Sequence, residues 1–232
     1  MNTILVCDDE RDIVSAIRIY LNGEGYRVLE AYSGVQALEL MARERVDLVL
    51  MDIMMPEMDG LSAVAKIRER SNVPVLFLSA KSEDTDKILG LNIGADDYIT
   101  KPFNPVELCA RVRSHLRRYI QLGGAAAQNG AIMRVGGIEL NDESKAVTLD
   151  GEPVSLTPLE YSILRLLMET PGKVFSSDEI YQAVWNDAPY GANATVAVHI
   201  RHLREKLEID PANPRYLKVL WGHGYKMEAD NG

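Results

Sequence analysis

The chain has 232 residues, 47% of them hydrophobic and 25% charged, with a formal net charge of −9. That length allows one large or two ordinary domains with real cores, and the acidity argues against a nonspecific polyelectrolyte binder. No apolar run approaches the ~18 residues of a membrane span, and the N-terminus, Met1-Asn2-Thr3-Ile4, lacks the basic region of a signal peptide. Cys7 and Cys109 lie in apolar segments outside any metal-ligand spacing, so reduced thiols in a soluble, cytoplasmic protein are expected.

Through residues 1–119, short apolar runs alternate with helical patterns. Strands are predicted over Ile4–Cys7, Arg27–Glu30, Leu48–Met51, Val75–Leu78 and Asp97–Thr100. Helices are predicted over Asp12–Asn22, Gly34–Arg43, Leu61–Arg70, Lys81–Gly90 and Pro105–Tyr119. Continuous apolar strands mark a parallel sheet covered on both faces. Five βα units therefore predict an α/β, doubly wound, five-stranded parallel (flavodoxin-like) domain. From Ile120 the amphipathic period stops, and the glycine-containing stretch to Gly130 predicts a flexible linker over 120–131.

Residues 132–232 follow a different pattern. Met133–Leu140 and Ala146–Leu149 read as strands around the turn-rich Asn141–Ser144, and Asp150-Gly151 invites a further hairpin. Thr157-Pro158-Leu159-Glu160 is a helix start with a capping box and Pro at the first helical position. Ser177 and Asn193 open two more helices, and Tyr216–Met227 reads as strand, glycine turn, strand. A helix trio with a terminal hairpin predicts a winged helix-turn-helix.

Asp8 and Asp9 follow the first strand, Asp52 the third, Ser79 the fourth and Lys101 the fifth. In an open parallel sheet these carboxyl ends share one edge, where ligands bind. Three neighbouring carboxylates call for a cation, and oxygen donors without His or Cys favour Mg²⁺. A carboxylate beside Mg²⁺ can take a phosphoryl group as an acyl phosphate. The Lys101 ammonium and Ser79 hydroxyl would meet the phosphate oxygens. Singly, Asp8 could be only a helix cap, and Lys101 and Ser79 ordinary surface residues. Their joint placement favours the chemistry.

In the third helix of the second half, Val196, Ile200, Leu203 and Leu207 form an apolar stripe. Ala197, Arg201 and Arg204 lie opposite, flanked by His199, His202 and Lys206. Residues 193–207 hold three Arg or Lys against one Glu, a local +2. Residues 133–232 as a whole hold 10 against 15, a net of −5. Such a reversal suits double-stranded DNA, although an amphipathic helix with a few cations is also an ordinary surface helix.

Val6-Cys7-Asp8-Asp9-Glu10, Met51 through Gly60, Leu78-Ser79-Ala80 and Ala95 through Phe103 resemble the signature blocks of a two-component response-regulator receiver, over residues 1–119. Leu156 through Tyr161, Val198 through Leu207 and Gly222-His223-Gly224-Tyr225 resemble the winged-helix effector of the OmpR/PhoB class, over about 132–228. Within that class, Lys81 through Tyr119 and His199 through Lys206 are similar to regulators of vancomycin-resistance operons. The resemblance implies phosphorylation of Asp52 by a sensor histidine kinase, with Mg²⁺ held by Asp8, Asp9, Asp52 and the Met54 carbonyl. It makes Ser79 and Tyr98 a switch pair, and suggests a cis bond before Pro102. It implies homodimerisation on phosphorylation through Lys87–Glu107, Asp97–Arg111 and Asp96–Arg118, regulation of transcription at repeated promoter sites, and RNA polymerase as a further partner. It points Thr195, His199, Arg201, His202 and Arg204 at DNA, with Gly222, His223 and Tyr225 in a wing at the minor groove. Trp221 and His223 depart from the class, which often has Arg and an aliphatic residue there. An aspartyl-phosphate hydrolase would share Asp, Lys and Mg²⁺. The haloacid-dehalogenase type, however, has a second Asp where this chain has Met54, so no turnover beyond self-phosphorylation and slow self-dephosphorylation is expected.

Overall fold

A computed structural model describes residues 1–80, 93–124, 132–185 and 192–228. The predicted helix over Lys81–Gly90, and Lys87 with it, lies outside these residues. The chain divides into two compact units, Met1–Tyr119 and Ile120–Gly232.

The first unit contains β1 (Thr3–Cys7), α1 (Arg11–Gly23), β2 (Arg27–Ala31), α2 (Gly34–Arg43), β3 (Leu48–Asp52), α3 (Gly60–Arg68), β4 (Val75–Ala80), β5 (Asp97–Lys101) and α4 (Pro105–Gly124). The strands form one parallel sheet in the order β2-β1-β3-β4-β5. Alternate residues of each apolar run enter separate cores. Leu5, Val49, Met51, Val75 and Phe77 meet Ala37, Ala63, Val64 and Ile67 from α2 and α3. Ile4, Val6, Leu48, Leu50, Leu76 and Leu78 meet Val14, Ile17 and Leu21 of α1 and Leu108, Val112 and Leu116 of α4. Burial on both faces explains why these strands read as unbroken apolar runs.

The second unit contains β6 (Ile132–Val135), β7 (Ile138–Asn141), β8 (Ala146–Leu149), β9 (Glu152–Pro153), α5 (Pro158–Glu169), α6 (Ser177–Trp185), α7 (Ala192–Leu207), β10 (Leu217–Leu220) and β11 (Gly224–Met227). Strands β6 to β9 make an antiparallel sheet, and β10 and β11 make the wing hairpin. The predicted capping box is present: Glu160 N donates to Thr157 Oγ1 at 3.3 Å, and Thr157 N to Glu160 Oε2 at 2.8 Å. A second box opens α6, one residue ahead of the predicted start. Glu179 N donates to Ser176 Oγ at 3.2 Å, and Ser176 N to Glu179 Oε2 at 2.8 Å.

Two sequence expectations need correction. The run Met133–Leu140 is two strands, because Gly136 at φ +56° turns the chain and a Cβ there would stand 2.5 Å from the Tyr216 ring. The linker does not begin at Ile120, since α4 continues to Gly124. Ile120-Gln121-Leu122 breaks the amphipathic period, yet each residue still adds a hydrogen bond to an existing helix.

Gly60 sets the geometry of the site. A Cβ at this first residue of α3 would lie 2.0 Å from the Asp52 carbonyl oxygen, and Gly60 N donates to Ile53 O at 2.9 Å. Gly60→Ala should therefore cost about 2 kcal/mol through overpacking against backbone, read as a lower midpoint in urea unfolding. An unchanged midpoint would show that this approach is not a constraint.

Candidate functional site: an acidic pocket and a winged helix

Asp8 follows β1, Asp52 ends β3, Ser79 lies near the end of β4 and Lys101 ends β5. The structure thus brings four of the predicted residues to one sheet edge. Asp8 and Asp52 are buried, at 0% and 5% exposure. The Lys101 ammonium lies 2.6 Å from Asp52 Oδ1 and 2.6 Å from Asp8 Oδ2, with Glu10 Oε1 farther out at 3.8 Å. Asp52 Oδ2 accepts from Met54 N at 2.7 Å, and Asp8 Oδ1 from Glu10 N at 3.0 Å. Ser79 Oγ is buried without a hydrogen-bond partner among the described residues. The Lys101–Pro102 bond is cis.

Two buried carboxylates therefore share one ammonium. Burial raises the Asp52 pKa, and Asp8 adds to the rise, against the opposing effect of Lys101. Burial works against the Lys101 charge, but the hydrogen bonds to Asp52 and Asp8 prevail and raise its pKa. Burial also pushes the Cys7 thiol up to about 12, with Asp8, Asp52 and Asp9 adding to it. The pocket is short of positive charge.

The predicted metal trio is only partly assembled. Asp9 is exposed, Lys101 joins the other two carboxylates, and among the described residues no three His, Cys, Asp or Glu side chains are gathered to hold a metal. The donor set is nevertheless all oxygen and under-neutralised, which fits a hard divalent cation. Tyr98 is half-buried, packed against the core that α2 and α3 cover.

The predicted dimer face also needs correction. Asp96 is 1% exposed and accepts from Arg68 Nη2 at 2.7 Å and from Val75 N at 2.8 Å. Asp97 is 2% exposed and accepts from Arg111 Nη1 at 2.9 Å, with His115 Nε2 at 3.2 Å. Both are buried and hydrogen-bonded within the chain. Arg111 also donates to Glu107, at 3.0 Å, and Arg118 is half-buried on α4.

On α7 the stripe Val196, Ile200, Leu203 and Leu207 is buried as predicted. Thr195 and His199, expected to face DNA, are buried as well, at 1% and 2% exposure. Helical spacing puts them beside Ala192, Val196 and Leu203, and the His199 ring packs 5.6 Å from Trp185. Arg204 spends Nε and Nη2 on the Leu217 carbonyl, at 3.0 and 2.7 Å, so it braces the wing. His202 is half-buried near Glu160, at 3.8 Å. Arg201 is exposed and pairs with Glu205 at 2.8 Å. Asn193 and Ala194 are exposed at the start of α7, ahead of the apolar stripe. Gly222 and His223 are exposed at the wing turn. Tyr225 is half-buried at its base, where its backbone exchanges hydrogen bonds of 2.8 and 2.9 Å with Phe175.

The family model for the response regulator receiver domain matches residues 4–113, and that for the C-terminal domain of transcriptional regulatory proteins matches 151–227. Regulatory protein VanR of Enterococcus faecium is 44% identical over 97% of this chain and 98% of its own. The chain belongs to the OmpR/PhoB class of response regulators. VanRc of Enterococcus gallinarum is 42% identical over 97% of this chain and 98% of its own. The solved structure of DrrB, a Thermotoga maritima OmpR/PhoB homolog, is 31% identical with a TM-score of 0.52, covering 99% of this chain and 100% of its own. A RitR mutant covers the same shares at 25% identity and a TM-score of 0.77. This response regulator is a DNA-binding protein of the two-component type, with a receiver and a transcriptional regulatory domain. Receivers generally bind Mg²⁺ at the acidic phosphorylation site. Among the described residues no helix is long and apolar enough to cross a membrane.

Burial opposes the charge of Asp97, but the bonds from His115 and Arg111 prevail and hold its carboxyl below the usual range. A depressed folded pKa adds stability above the ordinary value of 3.8 and loses it as pH falls through the folded value. Asp97→Asn should cost about 3 kcal/mol near neutrality, as a broken buried pair does. In urea unfolding at successively lower pH, the gap to the parent should close in acid; a constant gap would refute the pairing.

Proposed function

We propose that this chain is a cytoplasmic, phosphorylation-switched transcription factor whose phosphoacceptor is Asp52. The observation that carries this reading is the pair of buried carboxylates, Asp8 and Asp52, held by one ammonium at the carboxyl edge of a parallel sheet. In the reading, a carboxylate oxygen of Asp52 attacks the phosphorus of a phosphohistidine on a sensor kinase. An O–P bond forms as the P–N bond breaks, and the imidazole leaves with a proton. Lys101, kept charged by its two carboxylates, turns to a phosphoryl oxygen of the new dianionic group. The Ser79 hydroxyl, buried without a partner among the described residues, donates to another oxygen. Tyr98, on the same strand as Lys101, follows the rearrangement as the switch aromatic. Asp8, Asp9, Asp52 and the Met54 carbonyl would hold Mg²⁺, which when bound offsets the negative charge of the phosphoryl group. Met54, 80% exposed and without an acidic group, supports storage of the phosphate rather than turnover of an external substrate.

The phosphorylated receiver then forms a two-fold dimer through the α4 face carrying Glu107, Arg111 and Arg118, with Lys87 the partner that the sequence resemblance gives to Glu107. The Glu107 side chain is half exposed, at 50%. Asp96 and Asp97 support that face from inside the chain. The winged helices bind direct-repeat half-sites in promoter DNA, with Arg201 and the start of α7 in the major groove and RNA polymerase as the further partner.

Incubation with acetyl phosphate and Mg²⁺ should add one phosphoryl mass and tighten DNA binding at least several-fold. Asp52→Asn should keep the fold and basal DNA affinity while losing both responses. Phosphorylation that persists in Asp52→Asn would remove the assignment, and turnover of a small phosphate ester without altered DNA binding would favour an enzyme. In sedimentation, Arg111→Glu and Glu107→Lys should each weaken self-association of the phosphorylated chain without blocking phosphorylation. Glu107→Lys guards against disturbance of the buried Asp97 pair. Dimers of parental strength in both variants would exclude this face.

A further inference from the structure

Trp221 is 88% exposed at the turn between β10 and β11, although so large an aromatic is buried to a great extent in most folded chains. It is one of two tryptophans. The other, Trp185, is 2% exposed and stacked on Tyr181 with ring centroids 4.7 Å apart. Trp221 is mounted on a fixed backbone. The hairpin ladder runs to Leu220 opposite Gly224, His223 N donates to Leu220 O at 2.9 Å, and Tyr225 ties the base to Phe175. Presenting a side chain from such a mount avoids the cost of ordering a loop on binding.

The wing has little positive charge to spend on phosphates. Lys218 Nζ donates to Pro214 O at 2.5 Å, and Lys226 pairs with Glu228 at 2.9 Å. Its tip instead presents Trp221, Gly222 and His223. That tip shares a groove of about 360 Å³ with Ser177 and Asp178 of α6 and with Asn193 at the start of α7. A duplex seated on the exposed face of α7 therefore meets the tip as well. An apolar side chain reaching DNA without a cation can act as a wedge between base pairs, entered from the minor groove. Unstacking costs least at pyrimidine–purine steps.

We propose that Trp221 is an apolar wedge that enters the minor groove beside the bases read by α7 and partly unstacks one step, so that the chain prefers a flexible pyrimidine–purine step there. This rests on the reading of α7 as the DNA-binding helix. A wedge adds stacking energy without releasing counterions, which separates it from a phosphate contact.

The test uses the full chain and a pool of duplexes with a randomised core. Selection should enrich a TA or CA/TG step at a fixed distance from the bases read by α7. On the selected duplex, Trp221→Ala should bind about tenfold more weakly, lose the step preference, and keep the slope of log K against log salt. Trp221→Arg should steepen that slope by about one. Because Trp185 is buried, acrylamide quenching reports Trp221 and should fall in the complex. Trp221 that stays fully quenchable when bound, or a step preference that survives Trp221→Ala, would overturn the wedge and leave the α7 reading standing. A parent chain that retains no duplex from the pool would overturn both.

Discussion

Asp8 and Asp52 sit on adjacent strands of a parallel sheet, buried against its carboxyl edge, and one ammonium from Lys101 lies 2.6 Å from each. Without it, two like charges would face each other in a region of poor solvation, and one would have to take a proton. With it, one ammonium serves two carboxyl groups, and the pocket is short of one positive charge. That shortfall makes the pocket receptive. In the proposed reading, a phosphoryl group brings more negative charge, and Lys101 would leave the carboxylate it holds to follow the new oxygens. The core beneath keeps these strand ends in register: β1 and β3 are buried throughout and β4 from Val75 to Ser79, so none of the three can slip without moving apolar residues out of a packed layer.

The charges on the neighbouring face follow a different logic. Arg68 donates to Asp96 and also to the carbonyls of Gly94, Ser71 and Val73. It ties the end of α3 to the approach to β5. Asp97 is held in the same way by Arg111 and His115 of α4. These ions act as rivets between β5 and the helices on either side of the sheet. In the second unit, Glu160 has a comparable duty: it caps α5 and also accepts from Lys206 at 2.7 Å, joining the first helix to α7.

The strand ends were legible because a parallel sheet obliges every βα junction to open on one edge, so Asp8, Asp52, Ser79 and Lys101 could be placed together from run lengths alone. The capping box at Thr157 was legible for a similar reason, since its partners are three residues apart. Partners distant in sequence were not. Arg68 reaches Asp96 across 28 residues, and His115 reaches Asp97 across 18, so two buried acids resembled a charged surface. Thr195 and His199 misled because polar side chains on the flank of an apolar stripe can be buried too, and His199 packs its ring near Trp185. The pair Gly136-Gly137 split a run that hydropathy alone reads as continuous.

The contact between Gly60 and the Asp52 carbonyl also gives the site a direction. On that side, α3 is locked onto the backbone of β3, and Ile53 N donates in turn to Leu78 O at 3.3 Å. The acceptor is thus an anvil. In the proposed reading, a phosphoryl group on Asp52 meets a main chain held on that side by Gly60, and the response falls to the side chains of Ser79, Tyr98 and Lys101. A backbone held on one side in this way would direct a bond-forming event at Asp52 sideways, across the sheet.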